Sequence, residues 1–137
     1  MTTDSGKAGK RIEELLQQDP FSRWLGVEVI AAGEGYCTLT MLIRAEMCNG
    51  FGITHGGLCF SLADSALAFA SNSAGQKAVS LEASIAYFKA LYPGERVIAA
   101  ALPIYNGRTV GHYEVKITRD TGELVALFKG TVSRQQQ

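Results

Sequence analysis

In the run HGGLCFSLADSALAFASNSAGQ, Asp64 is the only formal charge between His55 and Gln76. An unpaired carboxylate withdrawn from water costs on the order of several kcal/mol, so something must justify the acid there. One justification is structural: a bond to the hydroxyl of Ser61 or Ser65, or to a crossing backbone amide, would satisfy it. The other is chemical. A carboxylate beside a water-excluded carbonyl can act as general base for a water, or attack the acyl carbon itself as a nucleophile. Residue types alone leave both open.

Gly56 and Gly57 precede the acid, at the predicted start of a helix. With Thr54 as the cap, the amides of His55, Gly56 and Gly57 lie in the first turn, where N–H groups lack intrahelical acceptors and the dipole is positive. Glycines leave those amides uncovered. A thioester carbonyl could then approach, and charge developing on its oxygen would meet fixed donors, as in an oxyanion hole. Equally, the two glycines could simply let the helix begin beneath a tightly crossing strand. Distance adds a constraint, because the eight residues from Gly56 to Asp64 rise about 12 Å on a helix. Donor and base must each come within roughly 3 Å of one carbonyl. One helix does not supply both, whereas a two-fold partner with its helix antiparallel would set its own Asp64 beside Gly56.

Other chemistries find less support. GFGITH begins like a dinucleotide loop but has His55 at its sixth position and no clear strand before it. Ser61 lies in CFSLA, outside the G-x-S-x-G pattern of a nucleophile elbow. His55 and His112 are the two imidazoles, without zinc-type spacing to carboxylates, so no metal is expected. Asn49-Gly50 is by default an ordinary turn. Lys89, Arg96 and Arg108 are isolated bases whose ordinary role is solvation.

The elements that must hold these residues follow from periodicity. Residues 1–10 read as a frayed polar terminus and 11–19 as a short helix ending before Pro20. VEVIAAGEGYCTLTMLI reads as a hairpin turning at a glycine. Thr54 to Gly75 reads as one helix, apolar on nearly every side and therefore enclosed, with Gly75 as its left-handed stop. Four strand-like runs follow, AVSLEASIAYF, ERVIAAALPIY, TVGHYEVKIT and ELVALFKGTVS, read as a four-stranded meander. A hairpin, a long helix and a meander make an α+β fold, an antiparallel sheet around one helix, in a single domain over 1–137.

Thirteen basic residues balance thirteen acidic ones, so no one-signed field points to nucleic acid or an anionic membrane. Cys37, Cys48 and Cys59 are odd in number and fit no C-x-x-C pattern, as expected of reduced thiols in the cytoplasm. No signal-peptide core or bilayer-length apolar run occurs, so a soluble, unprocessed protein is expected.

Taken together, CNGFG, THGG and LADSA, with the spacing Asn-x₅-His-Gly-Gly-x₆-Asp, resemble the catalytic motif of hotdog-fold acyl-CoA thioesterases of the phenylacetate-pathway (PaaI-like) type, within the 4-hydroxybenzoyl-CoA thioesterase superfamily. The resemblance runs from about Trp24 to Ser133. It implies a hotdog fold whose protomers pair into a continuous sheet as homodimers or homotetramers, acting on aryl-, arylacetyl- or medium-chain acyl-CoA without a cofactor. It implies that Asn49 positions the thioester or the attacking water, that His55 and Gly56 form the helix start, and that the Gly56 amide is the oxyanion donor. Asp64 falls on the base or nucleophile, and Gly57 and Ser65 on substrate-binding positions. Ala68 stands where some aryl-CoA thioesterases carry a hydroxyl. The alternatives are a hotdog hydratase or dehydratase, using His55 with Asp64 as acid and base, and a non-catalytic acyl-CoA-binding module.

Overall fold

The structure is a computed structural model that describes residues 6–135. Helices α1 (Lys7–Gln17) and α2 (Pro20–Leu25) precede the hairpin β1 (Glu28–Gly33) and β2 (Tyr36–Leu42). A 3-10 turn (Ala45–Met47) leads into the long helix α3 (Gly56–Ser71). Strands β3 (Ala78–Tyr87), β4 (Arg96–Asn106), β5 (Val110–Arg119) and β6 (Leu124–Arg134) complete the chain. All six strands form one antiparallel sheet in the order β1-β2-β4-β5-β6-β3, wrapped around α3. This is the hotdog arrangement.

The N-terminal expectations need correction. Residues 1–5 of the expected frayed terminus lie outside the described residues, but Lys7–Lys10 already belong to α1, where Ala8 is buried. The helix also stops at Gln17, because Asp19 opens a second one: its carboxylate accepts from the Ser22 amide at 3.0 Å, and Pro20 takes the first helical position. The expected meander is likewise only partial. β4, β5 and β6 are sequential neighbours, but β3 pairs with β6 at the sheet edge instead of with β4.

Leu62, Ala63, Ala66, Leu67 and Ala70 of α3 pack into one core with Leu39, Met41, Val97, Val115, Ile117 and Phe128 of the sheet. Each fully buried large apolar side chain of this kind stabilises the fold by about 1.5–3 kcal/mol. Phe60 meets Phe128 edge-on, with ring centroids 5.1 Å apart, and the sheet approaches so closely that a methyl on Gly130 would lie 2.6 Å from Leu67. The helix is not enclosed all round, however. Gly57, Asp64 and Ala68 are exposed and Ser61 is half-buried, a single stripe at helical spacing that the chain's own sheet leaves open.

Candidate active site

The start of α3 is built from a tight loop and a crossing strand. Asn49 Oδ1 accepts from the Phe51 amide at 2.9 Å, and the Asn49 carbonyl accepts from the amide of Gly52, whose φ is +79°. Asn49-Gly50 is thus a side-chain-braced turn. Among the described residues, the Asn49 carboxamide nitrogen donates to no protein group. Thr54 does not cap the helix, because both its amide and its hydroxyl donate to the Leu91 carbonyl, each at 2.9 Å. His55 caps it instead, with Nδ1 accepting from the Gly57 amide at 3.0 Å. That bond requires Nδ1 to be unprotonated, so the neutral ring carries its proton on Nε2.

The first turn therefore commits most of its donors. The His55 amide goes to Met47, the Gly57 amide to His55, and the Leu58 amide to the His55 carbonyl. Among the described residues the Gly56 amide alone in this turn has no acceptor, as the first helical residue has none within the helix. The Gly56 carbonyl accepts from the Tyr87 hydroxyl at 2.8 Å. A Cβ at Gly56 would sit 3.0 Å from that hydroxyl. Close strand crossing is thus one real reason for this glycine, alongside the exposure of its amide.

A cavity of about 310 Å³ opens at this point, lined by Asn49, Gly56, Cys59, Tyr87, Leu91 and Val125, with Lys89 also on its wall. Arg119 holds the loop that closes it, through an ion pair with Glu95 at 2.9 Å and a bond to the Ala90 carbonyl at 2.6 Å. Burial pushes the Cys59 thiol up to about 11, so it lines the cavity as a neutral thiol. A second cavity of about 250 Å³ lies on the other side of the helix start, lined by Phe21, Trp24, Met47, His55, Gly57 and Ser61.

Asp64 lines neither cavity. Its residue is exposed on the open stripe of α3, yet the surrounding protein withdraws enough water to raise its pKa above the usual 3.8, with Asp19 adding to the shift. The unbroken helix from Gly56 to Ser71 keeps it about 12 Å of rise from the Gly56 amide. The expected burial of this acid is therefore absent in the single chain. Ser65, one residue on, turns inward, is buried in the single chain and shares a 2.7 Å hydrogen bond with Ser22. The Gly57 amide is likewise spent on the cap. Of the isolated bases, Arg96 pairs with Glu28 at 3.5 Å, and Arg108 lines a cavity near the far end of α3. Among the described residues, no group of three or more His, Cys, Asp or Glu side chains is gathered for a metal ion.

Tyr87 and Cys59 line the candidate cavity although the sequence marked neither as a site residue. Neither lies in a motif. Tyr87 reaches Gly56 only because β3 folds back across a separation of 31 residues.

Residues 51–126 match the family model of the thioesterase superfamily. The chain belongs to that family. This thioesterase is 35% identical to acyl-coenzyme A thioesterase PaaI of Escherichia coli K12 over 130 residues, covering 95% of this chain and 93% of that one. The solved E. coli PaaI structure, from the phenylacetic acid degradation operon, superposes with a TM-score of 0.93 at 34% identity over 96% of both chains. Human acyl-coenzyme A thioesterase 13 is 28% identical over 135 residues, 96% of each chain. The thioesterase thus has the hotdog fold and the enzyme class that its residues pointed to. Among its described residues, no helix is long and apolar enough to cross a membrane.

Proposed function

We propose that this thioesterase hydrolyses acyl-coenzyme A thioesters in a site shared between two copies of the chain. One observation carries the proposal: among the described residues the Gly56 amide is unpartnered at the cavity beside Tyr87, and the Asp64 carboxylate sits further along the same helix on the stripe that the chain's own sheet leaves open. Separated by about 12 Å of rise within a chain, the two groups meet at one carbonyl only if a second α3 runs antiparallel to the first.

In this site the thioester carbonyl accepts from the Gly56 amide, with Asn49 orienting the thioester or the water. Asp64 of the partner subunit takes a proton from water as the oxygen bonds to the acyl carbon, or attacks that carbon itself to give an anhydride that water then opens. The C–S bond breaks, the thiol of coenzyme A leaves with a proton, and the carboxylic acid is released. Water is the sole co-reactant, and coenzyme A is part of the substrate. The raised pKa of Asp64 makes it a stronger base than an ordinary aspartate.

The preferred acyl groups are aryl or arylacetyl, in keeping with the phenylacetic acid context of the E. coli relative, with medium-chain acyl groups as the competitor. The cavity is bounded by Leu91, Val125 and the Tyr87 ring, which suits an apolar group. The edge strand β3 is ten residues long and exposes Val79 and Leu81, a template for pairing with a second copy into a continuous sheet. Association of two such dimers into a tetramer is compatible with the same site. The free thiols of Cys37, Cys48 and Cys59 suit the reducing cytoplasm.

The test is thiol release from a panel of acyl-CoAs that includes phenylacetyl-CoA and crotonyl-CoA. Release with an arylacetyl or medium-chain preference supports the proposal. Loss of the crotonyl double bond without thiol would make the protein a hydratase, and binding without turnover a ligand-binding module.

A further inference from the structure

The oxyanion donor assigned above belongs to a residue without a side chain, so nothing attached to Gly56 itself can hold its amide in place. Glycine is also the residue with the greatest backbone freedom. Its neighbours restrain it instead. The peptide joining Gly56 to Gly57 is held at both ends: its N–H donates to His55 Nδ1 at 3.0 Å, and its carbonyl accepts from the Tyr87 hydroxyl at 2.8 Å. The preceding peptide is held through the His55 carbonyl, which accepts from Leu58 at 2.9 Å. The Tyr87 hydroxyl occupies the space a Cβ would need, 3.0 Å from that position. Its ring lines the same cavity as Asn49 and Cys59.

We infer that Tyr87 is a positioning residue for the thioesterase reaction: its hydroxyl, reaching from β3 to the Gly56 carbonyl, fixes the peptide plane beside the oxyanion-binding amide and so aims that amide into the cavity. This rests on the assignment of the Gly56 amide as the oxyanion donor. Tyr87 acts through the backbone and transfers no proton. Preorganised donors stabilise a transition state because they need no reorientation as charge develops, so a loosened amide should cost turnover more than ground-state binding.

The test is Tyr87→Phe, which keeps the ring and removes the hydrogen bond. With the substrate that wild type hydrolyses fastest, kcat should fall by about 10- to 100-fold, the scale of a slightly misplaced catalytic group, while KM stays nearly constant. Two inhibitors separate positioning from general loosening. A trifluoromethyl ketone analogue of the acyl-CoA, whose adduct carries an oxyanion, should lose affinity in parallel with kcat. A thioether analogue with CH₂ in place of the carbonyl should bind as it does to wild type, and the melting temperature should change little. If Tyr87→Phe keeps wild-type kcat, or weakens both analogues equally, the inference is overturned while the oxyanion assignment stands. If wild type itself fails to prefer the ketone over the thioether, the oxyanion assignment fails and this inference with it.

Discussion

The Gly57 amide donates to His55 Nδ1 over 3.0 Å, so the helix whose Gly56 amide has no acceptor among the described residues is capped by the imidazole of the residue just before it. The ring also lies 3.2 Å from where a Cβ of Gly57 would stand, which explains the second glycine of the pair. His55 thus has a structural occupation that a proton-transfer role would have to share.

That occupation separates thioesterase from hydratase chemistry. His55→Ala should cost about 1 kcal/mol of stability, the usual value of a lost cap. His55→Asn, a good capping residue, should restore the melting temperature and most of the thioesterase kcat. A well-folded His55→Asn enzyme as inactive as His55→Ala would give His55 a proton-transfer role.

Asp64→Asn keeps the shape of the side chain and removes its basicity. Because Asp64 projects from the open stripe, the fold should survive, whereas kcat should drop by roughly 100-fold or more, as expected for a lost general base. Stopped assays on a preparation with unchanged melting temperature would show this. Near-normal turnover would remove Asp64 from the mechanism.

The raised pKa of Asp64 fixes two signs in pH dependence. In the proposed mechanism Asp64 acts as the carboxylate, so kcat/KM should fall toward acid with a midpoint above the ordinary 3.8. Stability runs the other way. Between the unfolded and the higher folded pKa the native state binds the extra proton, so this group's contribution declines as pH rises through that window and levels off above it. Relative to wild type, Asp64→Asn should gain melting temperature over the same window and then hold the gain. A difference independent of pH would mean that Asp64 titrates normally.

The shared site can be tested by subunit mixing. Asn49→Asp keeps the turn acceptor for the Phe51 amide and removes the carboxamide donor, and Asp64→Ala removes the base. Each homodimer should be nearly inactive. After random reassortment about a quarter of sites draw an intact Asn49 from one chain and an intact Asp64 from the other, so activity should recover toward that fraction. Absence of recovery, with exchange verified by tagged subunits, would require both groups to act within one chain.

Much of this molecule is written locally in its sequence. Strands β3 to β6 fall where alternation, the left-handed glycines at 94 and 122 and the Asn106-Gly107 signal put them, because a strand's period and a turn's backbone are properties of a few adjacent residues. Asp19 and Pro20 are a local helix-start signal of the same kind. The motif of Asn49, His55, Gly56 and Asp64 is likewise a matter of spacing. What the tertiary structure decided is which partners compete for each group. Leu91 takes both donors of Thr54, so the cap passes to His55. Ser22 claims Ser65, while Asp64, one residue earlier, is left on the open stripe. The pairing of β3 with β6 carries Tyr87 onto Gly56. Those outcomes depend on contacts between residues far apart in the chain, chosen by the arrangement that buries the apolar faces of sheet and helix together, and no window of neighbouring residues contains that information.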